Sequence, residues 1–362
     1  KIRKARLIYM KEYGHLKSYE IILTAKSPVF IGSGIEYSKK EYYYDRARGR
    51  VHIINLPAMM SLLYDKKLIN DYEDYILNTD YDLYRFFGKV KITESELNEI
   101  TEYTANVGDA LLPDKSLSGI KQFIRDKNGR PYIPGSSLKG SLRTAILWKM
   151  ITEDKSRFDI EQTTKIIEKT YLNRLKLNTE KWTNEVNDIM RGIIISDSEA
   201  IDPDRIILTK KIDLSVNGIA KDINTIREAI APNTVIRLIM TIDSSVSSYI
   251  DINYIRNAIS EYGRYYYKTF QQSFRLPADY VQESFENCLV LGGGSGYFGK
   301  NIVYPPLIRQ DAVRRVSVIM AENAKNHHHE RDIVLGISPR MLKITKYQGR
   351  SYHYGVCRIE IR

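Results

Sequence analysis

Residues 130–147 carry the densest chemistry in the chain: Arg130-Pro-Tyr-Ile-Pro-Gly-Ser-Ser-Leu-Lys-Gly-Ser-Leu-Arg-Thr-Ala-Ile-Leu147. An extended piece between Pro131 and Pro134 runs into Gly135, and Ser136 or Ser137 then occupies the position of a helix N-cap. In the helix that follows, Leu138, Leu142, Ala145 and Ile146 share an apolar face, while Lys139 and Arg143 lie one turn apart on another. Backbone N–H groups, two hydroxyls and two cations converge on one corner, and a phosphate is the ligand such a corner suits. The same residues would also make an ordinary capped surface helix after a turn. The P-loop pattern does not fit. Gly135 and Gly140 have its separation, but Ser141 stands where the lysine is required and Lys139 precedes the second glycine.

A second glycine cluster lies at Gly292-Gly-Gly-Ser-Gly-Tyr-Phe-Gly299. Its part from Gly294 to Gly299 satisfies the dinucleotide-binding fingerprint formally, but that fingerprint must open a helix and be followed by an acid. Here Asn301–Tyr304 reads as extended and Pro305 and Pro306 follow, so nucleotide binding of that kind is excluded. Five glycines among eight residues leave a bare backbone that a partner can approach closely. Tyrosine is abundant, with 27 copies, and Tyr37, Tyr42, Tyr43 and Tyr44 are interleaved with Lys39 and Lys40. Rings beside cations suit the stacking of unpaired bases, although the solvent side of a hairpin would carry the same residues. Tyr265, Tyr266 and Tyr267 read as packing residues of a helix.

Catalytic residues are sparse. His327, His328, His329 and Glu330 are adjacent, so their side chains diverge on any regular element, and no His-x-x-x-His accompanies them. A solvated loop accounts for them better than a metal site, and neither a metal nor a cofactor is expected. His15, His52 and His353 stand alone, and only His15 lies where a general base would be sought. Asp197 and Glu199 alternate along an expected strand and read as surface ion-pair partners.

The elements that must hold these residues are of mixed type. Strands are predicted near 17–26, 41–45, 50–54, 192–197, 205–212, 233–242 and 353–361. Helices are predicted near 57–68, 72–78, 94–105, 137–152, 160–175, 180–191 and 249–270, with a short one possible over 222–230. This is an α/β (α+β) pattern whose order fits a ferredoxin-like (RRM-like) core, with an open sheet and loop edges suited to RNA. The core is expected from 17–56, 119–152, 192–304 and 353–362 of one elaborated domain spanning 1–362. Helical insertions fill 57–118 and 153–191, and a C-terminal insertion fills 305–352.

Composition agrees with a polyanionic partner. Among 362 residues, 55 Lys and Arg face 44 Asp and Glu, a net charge of +11. Two cysteines, Cys288 and Cys357, make no disulfide framework and suit a reducing compartment. No apolar run reaches about 18 residues and none of secretory type precedes the first strand, so a cytoplasmic protein is expected.

The eleven residues from Ile133 to Arg143 resemble the signature of the RAMP superfamily, the repeat-associated proteins of CRISPR ribonucleoprotein complexes. Two further segments resemble the same family in order: Ser27-Pro-Val-Phe-Ile-Gly-Ser-Gly34 after the first strand, and the glycine cluster at 292–299. The resemblance implies RNA contacts by Gly32, Ser33 and Gly34 and by Gly135, Ser136, Ser137, Lys139 and Arg143. It further implies that Gly293, Gly294 and Gly296 lie near the RNA path or a neighbouring subunit, with Lys300 supplying charge. Lys39 and Lys40 are added as RNA contacts from the tyrosine cluster.

Three kinds of RAMP differ in mechanism. Target-cutting backbone subunits use an aspartate in the first glycine loop, whereas 35–44 holds Glu36 and Glu41 and the first aspartate is Asp45. Repeat-processing endonucleases use a histidine base, for which His15 is the only candidate. The third kind caps the 3′ side of the CRISPR RNA (crRNA) in type III-A (Csm) complexes. This chain resembles it in length, in Ser33–Tyr42 and in the tail Ser338–Lys346. The resemblance therefore implies a non-catalytic crRNA-binding cap that assists crRNA maturation, with a ribonuclease RAMP as the alternative. The partners it implies are crRNA, other Csm subunits, above all the backbone RAMP, and a trimming nuclease of the host.

Overall fold

Alternating side chains along residues 16–25 set the first strand, which turns Ile21, Leu23 and Ala25 inward. The computed structural model describes residues 14–112, 117–282, 284–323 and 327–362; strands and helices are numbered in chain order within these. β1 (Leu16–Ala25) pairs antiparallel with both β10 (Val235–Asp243) and β14 (Val356–Ile361). With β7 (Ile193–Ile195) and β11 (Cys288–Val290) they form a five-stranded sheet in the order β11-β14-β1-β10-β7. Helix α5 (Gly135–Glu153) connects β1 to β7 and helix α7 (Ile252–Thr269) connects β10 to β14. That is the ferredoxin-like βαββαβ order with one extra edge strand.

The two helices pack through residues at helical spacing. Leu138, Leu142, Ala145 and Ile146 of α5 are buried as their period predicts, and α7 buries Ile255, Ala258, Ile259, Tyr262 and Tyr266. The Trp148 indole N–H donates to the carbonyl of Asn301, which ties α5 to the chain beyond the glycine-rich loop. Asp251 caps α7 through the Tyr254 N–H.

A second, nine-stranded sheet runs β2 (Gly32–Tyr37), β6 (Ile120–Phe123), β9 (Ala220–Ile230), β8 (Ile206–Ser215), β5 (Thr101–Asn106), β4 (Arg50–Ile54), β3 (Tyr42–Asp45). On it, β12 (Met341–Tyr347) pairs with both β8 and β13 (Arg350–His353). Helices α1 (Leu56–Asp65), α2 (Ile69–Asn78), α3 (Leu83–Val90) and α4 (Glu94–Glu99) enclose their own apolar cluster of Met59, Leu63, Tyr75, Phe86 and Phe87. Helices α6 (Thr164–Leu172), α8 (Arg309–Asn323) and the short α9 (Asp332–Leu335) complete the fold.

Several sequence expectations are corrected here. The helix predicted over 94–105 ends at Glu99, and Thr101–Asn106 becomes a strand because its alternate residues join the edge of β4. The segment 222–230 is part of a long strand held between β8 and β6. Residues 180–191 form only short 3-10 turns, in which Asn184 and Asp188 side chains accept the N–H groups of Val186 and Met190. Strands β5 and β12 lie inside the segments read as insertions, yet both belong to the second sheet.

Among the polar groups inside the core is His353, whose Nδ1–H donates to the Tyr354 carbonyl while Nε2 accepts from the Tyr266 hydroxyl. Burial lowers its pKa from 6.5 to about 4, so the neutral ring is the folded form. The unfolded chain then binds the extra proton between those two values. His353 contributes its full stability above pH 6.5 and loses it as pH falls toward 4, by about 3 kcal/mol in all. Urea titrations at pH 7 and pH 4.5 should show a smaller acid loss in His353→Gln than in the parent protein. An equal loss in both would place the acid sensitivity elsewhere.

Candidate nucleic-acid interface

The three segments singled out in the sequence meet at one groove of about 550 Å³. One wall is the first half of α5, where Ser136, Ser137, Gly140, Ser141 and Thr144 recur at helical spacing and present small side chains. Backbone of Gly292, Gly293 and Gly299 makes the opposite wall, and Ile31 and Gly32 close one end. Hydrogen bonds lock the walls together. Ser141 Oγ donates to the Val290 carbonyl at 2.7 Å, and the Gly293 N–H donates to the Phe30 carbonyl at 2.7 Å. Gly292 has φ +81°, and a Cβ there would lie 2.2 Å from the Phe30 oxygen, so only glycine lets the two loops touch.

The corner at the start of α5 differs from its expected form. Pro134 precedes the helix and Gly135 is its first residue, so neither Ser136 nor Ser137 is the N-cap; both line the groove instead. The Gly135 N–H donates to Asp197 Oδ1 at 2.9 Å. A carboxylate therefore holds the place expected for a phosphate. A Cβ on Gly135 would lie 2.1 Å from the Ile195 carbonyl oxygen, which makes this glycine a contact between α5 and the end of β7.

The cations are also redistributed. Arg143 lines the groove, but its guanidinium is engaged by Glu168 of α6 and by Asp188. Burial opposes that charge, yet hydrogen bonds and the two carboxylates outweigh it and raise the pKa. Burial holds the Lys139 ammonium below its ordinary value, with Asp188 opposing and Arg143 reinforcing. Lys40 is engaged within the protein: its Nζ donates to the carbonyls of Tyr75, Ile76 and Thr79 at 3.2, 2.8 and 2.7 Å and caps the C-terminus of α2. Lys39 is exposed on the same hairpin, away from the groove.

Gly32 reaches the groove, while Ser33 and Gly34 sit in a bulged, exposed stretch of β2, where the Ser33 hydroxyl accepts the Ile35 N–H. Gly293 and Lys300 are groove residues, with Lys300 exposed. Gly294 and Gly296 pass instead over Arg227 and Lys343: a Cβ on them would lie 2.6 Å from Arg227 Nη1 and 2.8 Å from Lys343 Cγ. Sequence reasoning missed Glu168 and Thr164, which border the groove from a segment read as an insertion and carry no motif.

The tyrosine platform is corrected. Tyr42 is buried and its hydroxyl donates to the carbonyls of Leu117 and Ser118, while Tyr43 packs against the rings of Tyr84 and Phe87. Tyr43 thus joins the apolar cluster of the four helices, while Tyr42 belongs to a separate one with Val51, Ile53 and Ala105 of the second sheet. Tyr266 is buried as a packing residue. His329 is not a solvated loop residue; it is buried against Asp332, with Nδ1 at 2.9 Å from Oδ2. Among the described residues no group of three or more His, Cys, Asp or Glu side chains is placed to hold a metal ion. Asp45 Oδ1 accepts the N–H groups of Ala47 and Arg48, each at 3.0 Å, and Oδ2 pairs with Arg48 at 3.1 Å, so its carboxylate closes a hairpin turn. None of the helices formed by the described residues is long and apolar enough to cross a membrane.

Known proteins resemble the chain along most of its length. The chain is 26% identical over 377 residues to the Enterococcus italicus protein described as CRISPR system Cms protein Csm5, covering 96% of this chain and 98% of that one. A Mycobacterium tuberculosis protein with the same description is 26% identical over 382 residues, again covering 96% and 98%. Among solved structures, a chain of a Csm–crRNA–target RNA ternary complex from a type III-A CRISPR–Cas system superposes with a TM-score of 0.69 at 18% identity, covering 94% of this chain and 100% of that one. The crystal structure of T. onnurineus Csm5 superposes with a TM-score of 0.60 at 17% identity, covering 93% and 99%. The RAMP superfamily profile matches residues 22–303, which span all three groove-forming segments and the ferredoxin-like core up to its last strand; the chain belongs to the RAMP superfamily.

Proposed function

We propose that this chain is a crRNA-binding subunit of a type III-A CRISPR effector complex, seated as a non-catalytic cap at the crRNA 3′ side. The observation that carries the reading is the convergence of the three family segments on one groove walled by small side chains and bare backbone. Such walls let a sugar–phosphate chain lie close without base-specific contacts, and a net charge of +11 draws it in. Similarity to Csm5 proteins along nearly the whole chain supports the assignment to the complex. The non-catalytic part is supported by Asp45, whose carboxylate is committed to a turn, and by the ion-paired state of Glu168 beside the groove.

A cap must contact the last backbone subunit on one side and refuse a copy of itself on the other, because a head-to-tail contact otherwise runs on into a filament. The helical cluster α1–α4 and the C-terminal segment that holds α8 and α9 are the parts proposed to block stacking. Any trimming nuclease of the host would then find the crRNA 3′ side beside this subunit.

Purified chain mixed with crRNA should bind modestly, leave the RNA intact with or without magnesium, and sediment as a monomer or small oligomer. Added backbone subunit should tighten binding. Long regular filaments from this chain alone would make it a backbone subunit instead. Metal-dependent cutting that a single substitution such as Asp45→Ala or His15→Ala abolishes would make it a ribonuclease.

A further inference from the structure

Beneath the glycine-rich loop the second sheet carries a cation cluster that lies outside the three segments forming the groove. Thr209, Lys211 and Asp213 alternate onto one face of β8. The register pairs Thr209 with Arg227 of β9 and Asp213 with Lys343 of β12, which brings both of those cations to the same face. Asp213 lies 2.7 Å from Lys343 Nζ and 3.8 Å from Lys211 Nζ. Arg227 forms no ion pair among the described residues; its guanidinium lies over the rings of Phe30 and Tyr354, 5.2 and 5.8 Å from their centroids. Its Nε and Nη1 are buried without hydrogen-bond partners among the described residues. The one carboxylate, Asp213, thus pairs with two of the three cations and leaves Arg227 without a counter-charge among the described residues.

Burial, then repulsion from Lys343, holds the Lys211 ammonium below its ordinary value, with Asp213 opposing and Arg227 adding to the shift. Crowded cations of this kind cost stability in the absence of an anion and favour binding in its presence. The position is also apt. Gly292 and Gly293 line the groove, and just beyond them Gly294 and Gly296 lie directly on Arg227 and Lys343. The Lys211 and Lys343 side chains keep 24% and 21% of their surface exposed, enough for an incoming anion to reach their ends.

We infer that Lys211, Arg227 and Lys343 form a seat for a phosphodiester of single-stranded RNA at the point where the strand leaves the groove across the glycine-rich loop. The inference rests on the RNA-binding reading given above and assigns it a second contact region. Phosphate held there takes the place of the missing counter-charge, reached from the exposed ends of Lys211 and Lys343, while the absence of a Cβ at Gly294 and Gly296 lets the loop lie directly on Arg227 and Lys343.

The test is the salt dependence of oligouridylate binding by the full chain, with melting of the RNA-free protein measured alongside. Lys211→Gln should weaken binding by about 3–10-fold near 0.1 M salt and flatten the log–log slope by roughly 0.7, the value of one lost phosphate contact on a single strand. Lys211→Arg should retain both. Without RNA, Lys211→Gln should melt at the parent temperature or above it, because a repelled charge has been removed. A variant that melts lower while keeping the parent slope would show that the cluster is only a structural ion-pair network. If the parent protein binds no oligouridylate at all, the RNA-binding reading and this seat are both overturned. A parent that binds with a slope indifferent to Lys211 overturns the seat alone.

Discussion

Gly135→Val should destabilise the protein by about 3 kcal/mol or more, since overpacking against backbone has no side chain to move aside. The Cβ alone would lie 2.1 Å from the Ile195 carbonyl oxygen and 2.6 Å from that of Ser196, so α5 must move away from the end of β7. That movement would also break the bond from the Gly135 N–H to Asp197. Gly140, five residues on in the same motif, should behave in the opposite way. It lies inside α5, and a methyl group added there would meet nothing within 4 Å, so Gly140→Ala should stabilise the helix by about 0.5–1 kcal/mol. A large residue at 140 should instead fill the groove and weaken RNA binding without unfolding the chain. Thermal melting of the two variants side by side separates these roles. Equal losses at both positions would mean that the motif glycines are purely structural and that the open wall of the groove has no binding role.

Arg143→Ala should cost about 2–3 kcal/mol of stability, with little change in the salt slope of RNA binding. The guanidinium joins α5 to Glu168 of α6 and to Asp188, and its removal takes from both carboxylates the cation they share. Removing those acids as well, in Arg143→Ala with Glu168→Gln and Asp188→Asn, should restore part of the loss, as replacing a whole ionic group generally does. Chemical denaturation measures the first effect and binding at several salt concentrations the second. A stable Arg143→Ala protein whose slope falls by roughly 0.7 would return Arg143 to the role of a direct phosphate ligand.

The fold was legible wherever a segment's own period decides its state. Residues 16–25 alternate and form β1; Leu138, Leu142, Ala145 and Ile146 recur at helical spacing and are buried on α5; Tyr266 packs inside α7. It failed where a long-range partner overrides a weak local preference. Ala220–Ile230 carries charges and asparagine that suggest no strand, yet neighbours on both sides complete its hydrogen bonds. Thr101–Asn106 follows a capped helix without any breaker, and its state is set by pairing with β4.

By itself the sequence determined the family, the ferredoxin-like order of elements and the three segments that meet at the groove, because each depends on residues close together along the chain. Only the tertiary structure decided what the individual charges do. Lys40 and Arg143 read as RNA contacts, but one closes the end of α2 and the other is neutralised by acids at 168 and 188. Lys211 and Arg227 carry no motif, and they meet Lys343 of the 338–346 tail only through the register of three strands. The reason is physical: a cation's availability depends on the acids and carbonyls within a few ångströms, and in this fold those come from residues far away in sequence.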